Sequence, residues 1–413
     1  MFPDLYNLST DDNYMKSQRK WSRRKFINCL TGTGAVMMLN PRFSWAASQP
    51  DPRVAAIVAK TIGIDTHNHI DVPVSAAELP GPKLDLAGEM RNSGFSAICM
   101  TFAVDYQKLN NPGEAYDRYI NGLNAMDEVL KSNYIKRSLN LTDIISAHKK
   151  HEPTVIQSVE GAHFLEGHLD RIGIAYSRGS RHIGLLHDSD ASVPLGDVYT
   201  NPEQWGGLTA FGKDVIRECN RLGILIDLTH ASNKTIDDAL KITTHPVLIS
   251  HTGLDSQLGQ NEQMAKMMRP RLISKEQAKI VANAGGVMGV WTHLSDTPLE
   301  YAQNVKAMVD VVGTDHVCIG TDTKLTPAYR SPAANPGNQP GPPGNNNDQK
   351  STGNNKNQNR VGERTNEAWK DQKVGFYYAV VDAMLKTGFN EEEISKIGGG
   401  NFCRIFDAAT SGH

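Results

Sequence analysis

Side chains of the types that bind metal ions recur along the chain beside short apolar runs. They are His67, His69, Glu160, His187, His230, His251 and Asp322. Imidazole and carboxylate groups bind divalent cations. Because the parallel strands of a barrel end on one face, such side chains can converge there and form a catalytic metal centre. The pattern therefore predicts a metal-dependent enzyme.

His67 and His69 form the first predicted ligand pair. Residues i and i+2 of an extended segment point the same way, so both imidazoles can reach one ion. Asp65 is placed to orient one of these ligands through a hydrogen bond. Asp71 is an alternative ligand, since His69 and Asp71 have the same spacing. A solvated pair of loop histidines is the non-functional alternative.

Glu160 is the predicted bridge between two ions, because a carboxylate has two oxygens that can each bind a cation. Two divalent ions about 3.5 Å apart can hold a hydroxide nucleophile and polarise a carbonyl group. The expected ligand sets are His67, His69 and Glu160 for one ion, and Glu160, His230 and His251 for the other.

His187 and Asp322 are polar groups at the same predicted face that these ligand sets do not use. Asp322 is suited to move a proton from the attacking water to a leaving amine. His187 is suited to stabilise an oxyanion. Local hydrogen bonding is the alternative for both side chains. His293 follows the seventh apolar run and can line the pocket, but the sequence assigns it no role.

Eight continuous apolar runs position these side chains, and continuous runs are typical of strands that are buried on both faces. The predicted strands are Thr61–Ile64, Ser96–Thr101, Thr154–Val159, His182–Leu186, Ile224–Leu228, Val247–Ser250, Gly286–Trp291 and Val317–Thr321. Amphipathic stretches separate them, such as the helical spacing from Phe211 to Leu222, which Gly223 is placed to end. Eight strands that alternate with helices predict a (β/α)8 barrel of the α/β class. A doubly wound open sheet is the alternative, but that fold usually has a glycine-rich phosphate-binding turn, which we do not find in the sequence.

Two segments are expected to lie outside this barrel, which otherwise forms a single domain over residues 47–413. Residues 1–46 combine Arg23 and Arg24, a short apolar stretch and a small-x-small site at Ser44–Ala46, which predicts a twin-arginine-type signal peptide. The protein is then a bacterial periplasmic or secreted one; a basic N-terminal helix is the alternative. Residues 331–360, mostly Asn, Pro, Gly and Gln, predict a passive surface insertion, with a lid as the alternative.

The composition restricts the possible partners. The 413 residues carry a net charge of -2, which gives no reason to expect nucleic acid or an anionic membrane as partner, and we expect no stable membrane anchor. The four cysteines after residue 46 lie in apolar patterns, which predicts buried free thiols rather than disulfides. A small-molecule substrate is expected, and the oligomeric state, a homodimer included, is left open.

Several segments resemble the membrane (renal) dipeptidase family, a branch of the amidohydrolase-like metal-dependent barrels. The resemblance runs from about Ile62 to the C-terminus. Its matching segments are Val159–His163, Leu208–Lys213, Arg221–His230, Pro246–His251, Asp315–Asp322 and Gly399–Arg404. It implies a binuclear zinc peptidase that cleaves dipeptides, with some members that hydrolyse β-lactams.

The resemblance also implies roles for individual side chains. Glu160 would be the bridging glutamate, and Asp322 the acid–base aspartate. His187 would be the catalytic-site histidine, and Arg271 would bind the substrate carboxylate. The implied histidine ligands are His67, His230 and His251.

Three departures from the family pattern lie near the expected substrate position. His67–His69 has His-x-His where the family usually has His-x-Asp, which removes a negative charge from the first metal site. Leu272 replaces a common asparagine, and Asp322–Leu325 replaces Asp-Phe-Asp-Gly. The metal chemistry should therefore carry over better than the specificity. Other small amides or lactones (N-acyl amino acids, cyclic amides, β-lactams) are alternative substrates, and a non-catalytic metal-binding protein is the alternative of another class.

Overall fold

A closed parallel β-barrel forms the centre of the molecule. The computed structural model describes residues 49–331 and 363–412. Eight strands close the ring, since β1 pairs both with β2 and, through Asp65 and Ile319, with β9. The strands are β1 (Ile64–His69), β2 (Ala97–Thr101), β3 (Lys136–Arg137), β4 (Thr154–Val159), β5 (Ser180–Gly184), β6 (Leu225–Asp227), β7 (Leu248–Thr252), β8 (Val287–Val290), β9 (Val317–Ile319) and β10 (Thr323–Lys324). Two short strands, β3 and β10, pair with β4 and β1 beside the ring.

Helices surround the barrel and connect its strands, which confirms the predicted (β/α)8 fold. They are α1 (Pro52–Lys60), α2 (Leu86–Ser93), α3 (Glu114–Ser132), α4 (Leu141–Lys149), α5 (Arg171–Ser177), α6 (Ala210–Leu222), α7 (Asn233–Leu240), α8 (Glu262–Met268), α9 (Lys275–Asn283), α10 (Pro298–Val312), α11 (Phe376–Lys386), α12 (Glu391–Ser395) and α13 (Asn401–Thr410). A kinked segment, Lys396–Gly400, joins α12 to α13, and Gly399 within it has a non-helical backbone with φ 175° and ψ -15°.

Helix α6 illustrates how the sequence encodes these helices. The side chain of Thr209 caps its first turn by accepting a hydrogen bond from Gly212 N at 3.0 Å. Val215 and Cys219 are buried on one face of the helix. Gly223 ends it with φ 78°, a left-handed conformation that glycine adopts without a steric penalty. The predicted helix end is therefore confirmed.

The first predicted strand was misplaced. We expected a strand at Thr61–Ile64 followed by the histidines, but β1 spans Ile64–His69 and contains both histidines. Thr61 instead ends α1. The polar strand can be buried because its side chains are hydrogen-bonded; Asp65, for example, accepts from Thr321 Oγ1 at 2.7 Å.

The other predicted strands lie within about two residues of the observed ones. Thr154–Val159 coincides with β4, whereas His182–Leu186 is displaced by two residues from β5, at Ser180–Gly184. Strand β7 extends two residues beyond the expected Ser250, so His251 lies inside the strand rather than after it. These shifts leave the ligand-type side chains at the same end of the barrel.

Buried apolar side chains fill the space between strands and helices. Cys99, Cys219 and Cys318 are buried free thiols, as predicted, and Cys403 is also buried. Over residues 49–331 and 363–412, no helix has both the length and the apolar character needed to cross a membrane. The predicted signal peptide (residues 1–46) and nearly all of the predicted insertion (residues 331–360) lie outside the described residues.

Candidate metal centre and active site

Side chains from five strands meet around Glu160 at the carboxyl end of the barrel. Glu160 directly follows β4, and its side chain is 4% exposed. From Glu160 Oε1 the Nε2 atoms lie at 3.0 Å for His230, 3.4 Å for His67 and 3.7 Å for His251. Glu160 Oε2 lies 3.4 Å from His187 Nε2 and 3.7 Å from His69 Nε2. The predicted side chains are thus brought to one buried point.

The outer nitrogens of these rings have their own hydrogen-bonding partners. His230 Nδ1 lies 3.0 Å from Asp188 Oδ1 and 2.8 Å from the hydroxyl of Tyr199. His69 Nδ1 lies 2.8 Å from the hydroxyl of Tyr106. Contacts of this kind fix ring orientation around metal ions, and here they leave the Nε2 atoms directed at one another.

Ser250 orients two further rings from the interior of the barrel. Its Oγ lies 3.0 Å from His251 Nδ1 and 3.3 Å from His67 Nδ1. The same hydroxyl donates to Asp227 Oδ2 at 2.5 Å. Burial raises the pKa of Asp227, but His182, His251 and the Ser250 hydrogen bond outweigh that effect and hold the pKa below its usual range. A buried ionised carboxylate therefore supports the ligand-type histidines through one serine.

The arrangement fits bound cations better than a network of protons. Glu160 Oε2 is buried and has no hydrogen-bond partner among the described residues, which is costly for a carboxylate oxygen without a ligand. His67 Nε2 and His69 Nε2 face each other at 3.1 Å, where one proton at most can lie between them. Imidazole nitrogens and carboxylate oxygens are typical ligands of zinc and similar divalent ions.

Three groups of ligand atoms share this space, and the atoms of each group lie within 4.8 Å of one another. The groups are His67, His69 and Asp322; His67, Glu160 and His251; and Glu160, His187 and His230. All five predicted ligands belong to them. Asp322 and His187, which we expected to be non-ligand groups, also lie at ligand distance; Asp322 Oδ1 is 3.1 Å from His69 Nε2.

Opposite charges in the cluster outweigh the effect of burial on its pKa values. Burial raises the pKa of the Glu160 carboxyl, but His187, His67 and His69 outweigh it and hold the pKa well below its usual range. Burial lowers the pKa of His67, but Glu160 outweighs it and raises the pKa to about 9. The carboxylate at the centre is therefore ionised, as a bridging ligand must be.

Two of the site residues have a strained backbone. His230 and Asp322 adopt φ values of 69° and 56°, in the left-handed region that costs residues with a Cβ atom about 1–2 kcal/mol. Hydrogen bonds fix both turns, since Asp322 N donates to His67 O at 3.1 Å and Tyr199 N donates to His230 O at 3.0 Å. Strain of this kind concentrates at functional sites.

Gly161 allows the chain to turn directly after Glu160. Its φ is 78°, and a Cβ atom there would lie 2.5 Å from His163 Nδ1 and 3.0 Å from His187 Cβ. A larger residue would therefore clash with His163, press against His187 and adopt a strained backbone conformation.

Asp105 is the most important site residue that the sequence analysis missed. Its Oδ1 lies 2.7 Å from His187 Nδ1, and its Oδ2 accepts from Ser189 Oγ at 2.5 Å. Burial raises the pKa of Asp105, but His187 lowers it to about 2. Burial lowers the pKa of His187, but Glu160 and Asp105 raise it to about 10. Asp105 follows the second predicted strand by four residues, so a search of every strand's carboxyl end would have found it.

The sequence left the positions of His293 and Asp71 relative to the site open, and the structure differs for the two residues. His293 Nε2 is 2.7 Å from Asp322 Oδ2, so this histidine contacts the site through the aspartate. Asp71 pairs instead with Lys324 Nζ at 3.1 Å. The fold therefore brings His69, and not Asp71, into the cluster.

A pocket of about 360 Å³ opens beside His230. Its wall includes Arg271, Leu272 and Trp291. The Arg271 guanidinium donates a hydrogen bond to the Asp188 carboxylate. The residue expected to bind a substrate carboxylate therefore lies at the pocket beside the cluster, already paired with an acidic side chain.

Comparison with known proteins agrees with this geometry. The model of the membrane dipeptidase family (peptidase family M19) matches residues 52–329, more than half of the chain. An uncharacterized dipeptidase of Schizosaccharomyces pombe is 31% identical over 196 residues, which cover 44% of this chain and 44% of that protein. The chain thus matches less than half the length of this relative.

Two solved structures share the fold. An amidohydrolase from Pseudomonas aeruginosa has 20% identity and a TM-score of 0.64, with 86% of this chain and 98% of that chain covered. A metallopeptidase from Rhodobacter sphaeroides, liganded with a phosphinate mimic of the dipeptide L-Ala-D-Ala, has 17% identity and a TM-score of 0.58, with 84% and 99% covered. The family match and the clustered ligand-type side chains together establish that the chain belongs to the membrane dipeptidase family, peptidase family M19, and is a metal-dependent hydrolase.

Proposed function

We propose that the chain is an exported zinc-dependent dipeptidase with a binuclear centre. The observation that carries the proposal is the buried Glu160 carboxylate, with three imidazoles near one oxygen and no hydrogen-bond partner on the other among the described residues. The proposed ligand sets are His67, His69 and Glu160 for one ion, and Glu160, His230 and His251 for the other. Two divalent ions there would supply Lewis acidity toward the scissile carbonyl and lower the pKa of water.

Asp322 is the proposed acid–base group. Its Oδ1 faces the cluster, 3.1 Å from His69 Nε2, where it can accept the proton of the attacking water and then give it to the leaving amine. Its Oδ2 lies 2.7 Å from His293 Nε2. His293 would thus hold the carboxylate with one oxygen directed at the reacting groups.

His187 is the proposed oxyanion-stabilising group. Asp105 Oδ1 engages His187 Nδ1 at 2.7 Å, which directs Nε2 toward the cluster. A protonated Nε2 can donate a hydrogen bond to the carbonyl oxygen as that oxygen gains negative charge. Because His187 is 11% exposed, this interaction would be screened little by water.

Arg271 is the proposed anchor for the carboxylate of the substrate, through a bidentate pair. A pocket of about 360 Å³ suits a small substrate. The dipeptide mimic carried by the similar R. sphaeroides structure supports the same substrate class. These features favour a dipeptide over a longer peptide.

The test is hydrolysis by the zinc-loaded full-length chain of a panel of dipeptides, N-acyl amino acids, cyclic amides, lactones and β-lactams. Dipeptides should be turned over, a chelator should abolish the activity, and zinc should restore it with two ions per chain. Turnover of the other amides or lactones without any dipeptide would overturn the dipeptidase assignment in favour of another amidohydrolase activity.

The role of Arg271 has a separate test. Arg271→Ala should raise KM for dipeptides much more than for an uncharged ester, because only the dipeptide loses a carboxylate partner. Arg269→Ala, at an exposed position two residues earlier, is the matched control and should change neither KM. Equal effects of Arg271→Ala on both substrates would contradict the proposed role.

Export is proposed from the sequence of residues 1–46. Twin-arginine export moves folded proteins, so a metalloenzyme exported in this way can bind its ions in the cytoplasm first. Replacement of both Arg23 and Arg24 by lysine should leave the protein in the cytoplasmic fraction of a bacterial host. An unchanged amount in the periplasm would contradict this part of the proposal.

A further inference from the structure

The proposed carboxylate anchor already has an acidic partner. Arg271 Nη2 donates to Asp188 Oδ2, and the two side chains are 19% and 37% exposed. Asp188 lies one residue after His187, on the loop that follows β5. The ion pair thus lies next to the ligand-type side chains around Glu160, since Asp188 also contacts His230.

Three donors hold Asp188 in this position. Besides Arg271, they are the hydroxyl of Tyr199, which donates to Asp188 Oδ1 over 3.2 Å, and the Nδ1 side of His230, 3.0 Å from the same oxygen. A carboxylate with three such partners is costly to move. A substrate carboxylate that reaches the guanidinium therefore has to share it with a fixed negative charge.

The guanidinium can still bind a second anion, because it has five N–H donors and its hydrogen bond to Asp188 comes from Nη2. However, two carboxylates on one guanidinium repel each other, and the partly buried position screens this repulsion less than bulk water would. Asp188 therefore reduces the preference that Arg271 gives to a charged carboxylate over a neutral group of the same shape.

We propose that Asp188 is a specificity-determining residue that weakens the affinity of the site for substrates with a free carboxylate next to the scissile bond, relative to their amides. This inference rests on the proposed function, in which Arg271 faces the carboxyl end of the substrate. Like-charge placement against one class of ligand is a common means of selectivity. Without the charge of Asp188, the same pocket would favour the free carboxylate strongly.

Asp188→Asn tests the proposal, with alanyl-alanine and its C-terminal amide as paired substrates. Asparagine keeps the shape and an oxygen for His230 Nδ1 but removes the charge. KM for alanyl-alanine should fall by about tenfold, because the repulsion between two carboxylates is removed. KM for the amide, which has no such repulsion, should change by less than about twofold. Because Asp188 also contacts Nδ1 of the proposed ligand His230, both substrates are assayed at saturating zinc, and any change in kcat that arises from His230 should be the same for the two substrates.

Tyr199→Phe is the matched control. It removes the hydroxyl that lies 2.8 Å from His230 Nδ1 and 3.2 Å from Asp188 Oδ1, but it leaves the charges of Asp188 and Arg271 in place. If Asp188 acted only by orienting His230, both variants would alter both substrates by similar factors, and the proposal would be overturned. A rise in KM for both substrates of Asp188→Asn would also overturn it, since Asp188 would then bind the substrate ammonium group.

Calorimetric binding of a phosphinate analogue of alanyl-alanine and of its amide separates this inference from the proposed function, because it needs no turnover. If the wild-type chain hydrolyses no dipeptide, yet Asp188→Asn binds the carboxylate analogue more tightly and the amide equally, then the dipeptidase proposal fails and the role of Asp188 stands. Equal changes for both analogues, or no binding of either analogue to either protein, would count against the role of Asp188.

Discussion

The two ends of the barrel differ in how their polar side chains are arranged. At the carboxyl end, five histidines surround the buried carboxylate of Glu160. At the amino end, a cavity of about 200 Å³ is lined by residues that precede the strands, among them Ser96 and His148, whose Oγ and Nδ1 lie 2.8 Å apart. Both ends therefore combine imidazole with oxygen-bearing side chains.

The two ends differ in whether their polar side chains converge on one point and in whether their polar atoms have hydrogen-bond partners. Ser96 and His148 satisfy each other, and both are partly exposed, so that water can serve their remaining polar atoms. At the carboxyl end, Glu160 Oε2 is buried without a hydrogen-bond partner among the described residues. A satisfied pair needs no ion, whereas an unsatisfied carboxylate among imidazoles gains much from one. The comparison therefore locates the chemistry at the carboxyl end.

Glu160→Gln should give the largest effect. An amide cannot bridge two cations as a carboxylate does, and several kcal/mol of transition-state stabilisation would be lost with the ions, so kcat/KM should fall by about 10³-fold or more. The number of zinc ions per chain, measured by elemental mass spectrometry, should fall together with kcat/KM. The matched change at the amino end, Glu152→Gln, should alter neither quantity. Full zinc content in Glu160→Gln would contradict the bridging role.

Asp322→Asn should give the next largest effect and distinguish two roles. If Asp322 moves the proton, kcat should fall by about 10²–10⁴-fold while two zinc ions are retained. Asp71→Asn, at the same end of the barrel but paired with Lys324, is the control and should leave kcat unchanged. Loss of one ion from Asp322→Asn would instead make it a ligand beside His67 and His69, as its distance to His69 also permits.

Asp105→Asn should reduce kcat less, by about 10–100-fold, since Asp105 would act only by orienting His187. Its effect should appear in kcat and in the pH profile of kcat, because asparagine no longer holds the proton on His187. Ser189→Ala removes the other hydrogen bond to Asp105 and should cost much less. If the two variants reduce kcat equally, Asp105 acts through the fold of the loop and not through His187.

Most of the barrel could be predicted from the sequence because strands buried on both faces are continuous apolar runs, as in β4, which matches its prediction. Strand β1 was misplaced for the converse reason. Its residues from Asp65 to His69 are polar, and their burial depends on partners such as Thr321, which lies 256 residues from Asp65 in the chain. The hydrophobicity of a segment gives no information about contacts between residues so far apart in the chain.

The residues of the site also divide into those that the sequence could predict and those that it could not. Residues in or directly after strands, such as Glu160 and His251, could be predicted because strand position alone brings them together. Asp105, four residues after a predicted strand, was within reach of the same rule; Tyr199 and Asp188 could not be predicted, since they lie on loops and their contacts to the His230 ring depend on how those loops fold. The conformation of those loops determines these contacts, and no spacing rule in the sequence encodes it.

His148→Gln at the amino end should leave kcat/KM unchanged and alter only how stability depends on pH. Burial, and after it the nearby His151, lowers the pKa of His148 below its ordinary value of 6.5. The unfolded chain therefore binds this proton more readily than the folded one, so the stabilising contribution is complete above pH 6.5 and is lost as the pH falls through the folded-state pKa. Urea unfolding between about pH 7.5 and pH 5 should show a smaller loss of unfolding free energy for the variant than for the wild type. Identical pH dependence in the two proteins would mean that His148 is solvated like a surface histidine, whereas a fall in kcat/KM would mean that the amino end takes part in the chemistry and would break the comparison between the two ends.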